Sequence, residues 1–184
     1  DYGLKTVIDL RSTPELQMRP NPYAFSAEVD YHNVSLFENA SPEVLSKAPQ
    51  DLLKSMYLEM LELHQPQVKA IFEIIASAKP GLILFHCAAG KDRTGVIAML
   101  LMGLVNVPNR DIVSNYEVSF TNLRRNVYFK QQDNQHSPVV LSTNTNMEDT
   151  ITFIRDKYQT FENYLLSIGL SPETLALIKA RFIE

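Results

Sequence analysis

The segment LILFHCAAGKDRTGVIAMLLMGLV, from Leu82 to Val105, narrows the choice of fold more than any other part of the chain. Leu82 to Phe85 is an apolar run too short for a helix, and a buried strand is expected to end at His86. A tight polar loop follows over Cys87 to Arg93, and Thr94 opens a helix that runs to Val105. The apolar stretch Val96 to Val105 has about half of the roughly 20 residues that a membrane span needs, so it reads as a buried helix and no integral membrane segment is expected.

The same alternation extends through the rest of the chain. Leu4 to Leu10, LKTVIDL, is rich in β-branched residues and reads as a buried strand, with the polar RSTPE after it as a loop. Val29 to Leu36 predicts a second strand. Ser41-Pro42-Glu43 supplies a helix start, and the helical pattern continues towards His64 with a break at Pro49. Gln65-Pro66 starts another helix, whose Val68, Ile71, Phe72 and Ile75 keep helical spacing until Lys79-Pro80-Gly81 stops it.

Beyond Val105, Asn106-Val107-Pro108 separates the buried helix from a helix over Asn109 to about Lys130. Gln131 to Asn146 is polar and reads as a loop. Met147 to Ile168 predicts one helix with Gly169 just past its end, and Ser171-Pro172-Glu173 starts the last. Strand and helix alternate, which implies an α/β fold: a mainly parallel central sheet flanked by helices, with a helical insertion and C-terminal helices. A length of 184 residues without repeat or long linker fits one domain over residues 1–184.

Composition removes several functional classes. The formal net charge of −4 argues against a nucleic-acid partner or a general polyanion surface, so any anion site is local. Cys87 is the only cysteine, which excludes an internal disulfide, and no Cys/His cluster has zinc spacing. A reducing compartment fits, and the setting, cytoplasmic or secreted, stays open. The chain starts at Asp1 and enters a strand within three residues, so a preceding segment is expected.

The junction between the strand ending at His86 and the helix starting at Thr94 has chemistry of its own. Backbone N–H groups at a helix start lack partners inside the helix, and the helix dipole adds positive potential, so anions bind there. Gly90 lets the loop curl, Lys91 adds charge, and the planar fork of Arg93 matches two phosphate oxygens. A cysteine among those donors has its thiolate stabilised, from a pKa of about 8.5 towards roughly 3.5 to 7.5. Cys87 would then attack phosphorus, Arg93 and the amides of Ala88, Ala89, Gly90, Lys91 and Asp92 would hold the phosphoryl oxygens, and water would hydrolyse the phosphocysteine. No metal or other cofactor is required.

HCAAGKDRTG resembles the His-Cys-x5-Arg-Ser/Thr motif of the cysteine-dependent protein tyrosine phosphatase superfamily. Its Lys-Asp before the arginine is similar to the bacterial atypical group of tyrosine and lipid phosphatases, and TVIDLRSTPE, Thr6 to Glu15, is similar to a second segment of that group. The resemblance covers nearly the whole chain, with the first family segment falling before Asp1. It implies a protein tyrosine phosphatase-like fold. Cys87 takes the place of the nucleophile, Arg93 of the phosphate clamp, His86 of the residue that orients the cysteine, and Thr94 of the hydroxyl that helps the thiolate leave. Asp92 takes the place of the general acid. No Trp-Pro-Asp segment is present, and Asp9, at the carboxyl end of a strand, is the alternative acid.

Blander readings stand beside these. Asp92 would complement a helix N-terminus or brace an arginine, Lys91 would be a solvated loop lysine, Asp9 would brace the loop or Arg11, and His86 would be a satisfied core histidine. Met56, Tyr57, Met60 and Leu61 lie at helical spacing and read first as packing, with an apolar lid over the site as the alternative. Protein tyrosine phosphatase activity, extending to phosphoserine and phosphothreonine, is the leading function, on a phosphorylated protein partner. A phosphoinositide phosphatase is the competitor, because Lys91 would serve an extra phosphate. Sulfur transfer and a non-catalytic phosphate-binding module fit the motif less well.

Overall fold

The computed structural model describes residues 3–39, 41–125 and 144–183. β1 (Leu4–Asp9) is the middle strand of a sheet in the order β2-β1-β3, with β2 (Asp30–Asn33) and β3 (Leu82–His86) both parallel to it. The β-branched stretch of β1 explains its place: Thr6, Val7, Ile8 and Asp9 are all buried. Helices flank this sheet, which makes the α/β class and parallel order expected from the sequence a property of the structure.

Between β1 and β2 lies α1 (Thr13–Met18), where the sequence suggests only a loop. Ser12 is its N-cap, Pro14 occupies the first turn, and the Glu15 carboxylate accepts a 2.8 Å hydrogen bond from the Ser12 N–H. Ser-x-x-Glu is the helix-start signature that reading RSTPE as a loop overlooks. Between β2 and β3 lie α2 (Pro42–Leu45), α3 (Pro49–Leu63) and α4 (Gln65–Ser77), with the interruption at Pro49 as expected. Val68, Ile71, Phe72 and Ile75 of α4 are buried in the core.

β3 differs from the buried strand expected of LILFH. Leu82 and Leu84 are 54% and 42% exposed, because among the described residues β3 pairs only with β1. The helix after it, α5 (Asp92–Leu104), starts two residues before the expected Thr94, so Asp92 and Arg93 belong to its first turn. Val96, Ile97, Met99, Leu100, Leu101 and Leu104 are buried, which an apolar helix enclosed by others requires. Its end is a Schellman turn: Asn106 is left-handed at φ 60°, and the N–H of Val107 reaches back to Met102 O at 3.0 Å.

α6 (Asn109–Arg125) follows, then α7 (Asn144–Tyr158), α8 (Phe161–Ser167) and α9 (Pro172–Ile183). The single helix expected over Met147 to Ile168 is two, because Gln159 is left-handed at φ 70° and the Thr160 side chain caps α8 by accepting from Asn163 N at 2.9 Å. The loop expected over Gln131 to Asn146 falls outside the described residues except for Asn144–Asn146, which begin α7. Gly169 closes α8 at φ 91°, in the role expected of it.

One cluster of buried side chains runs from Ile8 of β1 to Ile178 of α9. Among the described residues no helix is long and apolar enough to cross a membrane. α5 and α8 meet closely at Gly103, where an added Cβ would stand 2.4 Å from the Phe161 ring. Gly103→Ala is expected to lower unfolding free energy by about 1–3 kcal/mol, the usual effect of overpacking, read from the urea midpoint. An unchanged midpoint would mean that α5 and α8 are not in this contact.

Candidate active site

The register of β1 on β3 pairs Asp9 with His86, so two polar residues meet at the carboxyl ends of neighbouring parallel strands. Asp9 is 0% exposed. Its carboxylate accepts from Arg11 Nε and Nη2 at 2.9 and 2.7 Å, from Asn21 Nδ2 at 2.7 Å and from Tyr31 Oη at 3.3 Å. Burial alone would raise its pKa, and the hydrogen bonds from Arg11 and Asn21 overcome that and hold it at about 2. Asn21 Nδ2 also lies 2.9 Å from His86 Nε2, and His86 Nδ1 lies 3.0 Å from the Cys87 carbonyl oxygen. A carbonyl only accepts, so the proton is assigned to Nδ1, and Nε2 is left to accept from Asn21.

His86 thus fixes the backbone of Cys87, which is 7% exposed. Cys87 to Lys91 form the connection into α5, with Gly90 left-handed at φ 70°. None of the N–H groups of Ala88, Ala89 and Gly90 donates to another group among the described residues, so all of them remain available to an anion. Thr94 Oγ1, one turn into α5, is buried and likewise without a partner among the described residues.

Arg93 reaches across to α1. Its Nη1 donates to Glu15 Oε2 at 2.6 Å and to Leu10 O at 3.3 Å, and its Nη2 donates to Glu15 Oε1 at 2.7 Å. Those bonds use both Nη1 protons and one on Nη2. The Nε proton and the second Nη2 proton share the remaining edge of the plane, the fork that fits two phosphate oxygens. Burial lowers the pKa of Arg93, but the Glu15 hydrogen bonds and the nearby Cys87 raise it more. The Arg93 guanidinium in turn holds Glu15 at about 2, below its ordinary 4.5.

Lys91 and Asp92 form a third charged pair. The Lys91 side chain is 1% exposed, with its ammonium 2.5 Å from Asp92 Oδ1 and 5.9 Å from the centre of the Tyr116 ring. Asp92 Oδ1 also accepts from Tyr57 Oη at 2.6 Å. The Asp92 side chain is 19% exposed, whereas that of Asp9 is fully buried.

The expected residues thus gather on one loop, with two qualifications. Asp9 is off the loop, fully buried and bonded to Arg11 and Asn21. The Lys91 ammonium is a buried partner of Asp92 rather than a solvated charge. Sequence reasoning missed Glu15 and Asn21 as members of this site, and it offered Tyr57 only as packing or apolar lid, not as a hydrogen-bond donor to Asp92. Glu15 is marked by the Ser-x-x-Glu pattern and Asn21 carries no signal. Tyr57, Met60 and Leu61 are buried as packing predicts, and only the Tyr57 hydroxyl makes that position special. Among the described residues no group of three or more His, Cys, Asp or Glu is arranged to hold a metal ion.

The sequence pattern of the tyrosine phosphatase family matches residues 1–184. A tyrosine-protein phosphatase of Nostoc commune is 32% identical over 97% of this chain and 66% of its own length. A Cupriavidus necator protein that bears the same description provisionally is 30% identical over 70% of this chain and 48% of its own length. The chain therefore spans about two thirds of the first relative, and the match reaches about half of the second.

Asp9 and Glu15 are both held at about 2 in the folded protein, below their ordinary 3.8 and 4.5. A folded-state pKa below the unfolded one gives stability that is complete above the unfolded value and lost as pH falls through the folded one. Unfolding free energy should therefore fall between about pH 4.5 and pH 2, and Glu15→Gln should flatten that fall in urea titrations at successive pH values. Equal slopes in the variant and the parent would dissociate Glu15 from acid stability.

Proposed function

From the premise that this chain belongs to the tyrosine phosphatase family, we propose that it is a phosphomonoester hydrolase that works through a phosphocysteine on Cys87. One observation carries the reading: Cys87 opens a loop in which the amides of Ala88, Ala89 and Gly90 have no partner among the described residues, beside an arginine whose Nε/Nη2 edge is left over after it binds Glu15.

In the first step Cys87 Sγ forms a bond to phosphorus as the bond from phosphorus to the ester oxygen breaks. The loop amides and the Nε/Nη2 edge of Arg93 hold the other oxygens, and Asp92 gives its proton to the departing oxygen. In the second step a water oxygen attacks phosphorus, Asp92 takes the water proton, and the sulfur leaves as thiolate with Thr94 Oγ1 as the hydroxyl at hand. Asp92 fits the acid role because part of it is exposed. Asp9 is buried, ionised and committed to Arg11 and Asn21, which suits a brace.

The substrate class that fits the family is a phosphotyrosine protein, and protonation by Asp92 would extend the chemistry to the poorer alkoxide leaving groups of phosphoserine and phosphothreonine. The phosphoinositide alternative rests on Lys91 meeting a second phosphate. Its ammonium is enclosed against Asp92, which speaks for the protein substrate.

Cys87→Ser should abolish turnover while phosphate-ester binding persists, because a serine hydroxyl is not ionised at neutral pH; more than about 1% residual activity would point to another nucleophile. Arg93→Lys should fail comparably, since a point ammonium cannot hold Glu15 and fork a phosphate together. Lys91→Ala separates the substrate readings: equal losses on phosphotyrosine peptide and on multiply phosphorylated inositides are expected. A selective loss on the inositides would restore the lipid reading.

A further inference from the structure

Two donors converge on one oxygen of Asp92, and a third residue backs one of them. Tyr57 of α3 donates to Oδ1 at 2.6 Å, and Lys91 of the loop approaches the same atom at 2.5 Å. Tyr116 of α6 stands behind, with its hydroxyl 2.7 Å from that of Tyr57 and its ring edge-on to the Tyr57 ring at 6.1 Å. A phenol has one proton. The Tyr57 proton goes to Asp92, so the hydroxyl of Tyr116 must supply the proton between the two tyrosines. Among the described residues Asp92 Oδ2 makes no hydrogen bond, which leaves it as the atom that can carry a transferable proton.

We propose that Tyr57, backed by Tyr116, is a positioning residue that holds Asp92 by Oδ1 so that Oδ2 alone exchanges the proton with the leaving group and then with water; this rests on the reading of Asp92 as general acid. Tyr57 keeps its own proton in both steps. It is 0% exposed, and burial first and the neighbouring Asp92 second raise its pKa well above 10.0, so it stays a donor at any working pH. An undirected carboxyl would divide its time among rotamers and between its two oxygens, whereas a hydrogen bond fixed by an enclosed helix removes that freedom before substrate arrives. The helical insertion would then be a working part of the site rather than packing alone.

The test is a series of aryl phosphates running from phenyl phosphate to a dinitrophenyl phosphate, whose leaving group departs without a proton. Tyr57→Phe keeps the ring and removes only the hydroxyl. It is expected to lower kcat on phenyl phosphate by roughly 10- to 100-fold, the scale of one hydrogen bond to a charged group, with much less loss on the dinitrophenyl ester. In an Asp92→Asn background it should add no further leaving-group dependence. Tyr116→Phe, one bond removed, should act in the same direction and more weakly, and serves if Tyr57→Phe does not fold. Equal losses across the series for the tyrosine variants, while Asp92→Asn is strongly leaving-group dependent, would overturn the positioning role alone. Equal losses across the series for Asp92→Asn would overturn the acid reading itself.

Discussion

A carboxylate taken wholly out of water must be surrounded by donors, and Asp9 is that group in this protein. It sits at the last position of the central strand, and what satisfies it builds the floor of the site. Arg11 folds back onto it and so turns the chain into α1. Asn21 comes in from beyond α1, and Tyr31 from β2. Asn21 then extends the network to His86, which holds the carbonyl of Cys87. The place of the candidate nucleophile is thereby set by hydrogen bonds that begin at a residue on a different strand. Removing Asp9 would leave Arg11 Nε and Nη2 and one Asn21 N–H without the carboxylate that now accepts from them, and would loosen the support behind His86.

Each cation near the loop is matched in a similar way: Arg11 by Asp9, Arg93 by Glu15 and Lys91 by Asp92. Pairing has a consequence for binding. An isolated arginine would take many conformations, and ordering it would oppose substrate binding. Arg93 is already held from the α1 side, and the hydrogen bonds that hold it leave one face over for an anion. A net charge of −4 over the chain is compatible with the proposed anion site for the same reason, because the positive potential there would come from a few oriented groups and from amides without partners among the described residues rather than from a surplus of lysine and arginine.

What the sequence makes legible depends on distance along the chain. Cys87, Gly90 and Arg93 lie within seven positions, and a short apolar run before them with a long one after them is enough to place them on a strand-to-helix loop. The parallel sheet follows from alternation of elements. Glu15 is 78 positions from Arg93, and Tyr57 is 35 from Asp92, so neither contact has a local signature. Tyr57 also keeps the spacing of a packing residue, and its ring does pack; only the direction of its hydroxyl differs. The misjudged boundaries have local causes: a Ser-x-x-Glu start read as loop at α1, and a left-handed Gln159 where no glycine marks the break. The exposure of β3 is set by which strands neighbour it, and an apolar run carries no record of that.

Two aspartates stand near the loop, Asp9 at the end of β1 and Asp92 in the first turn of α5, and burial separates them. A group that must hand over a proton and take one back has to meet the leaving group and then water, and it cannot be locked as an anion by bidentate contacts. Asp9 fails both conditions: it is wholly enclosed, and Arg11 binds it through both of its oxygens. Among the described residues the donors on Asp92 fall on one oxygen, and the side chain retains 19% exposure. On the proposed reading of Asp92 as the acid, an acid and a brace of the same residue type would coexist at one site, because the number of donors on each and the oxygens those donors occupy differ. That difference arises from contacts made by Arg11 and Asn21 on either side of α1, by Tyr31 of β2 and by Tyr57 of α3, which is why the sequence alone presents Asp9 and Asp92 as alternatives.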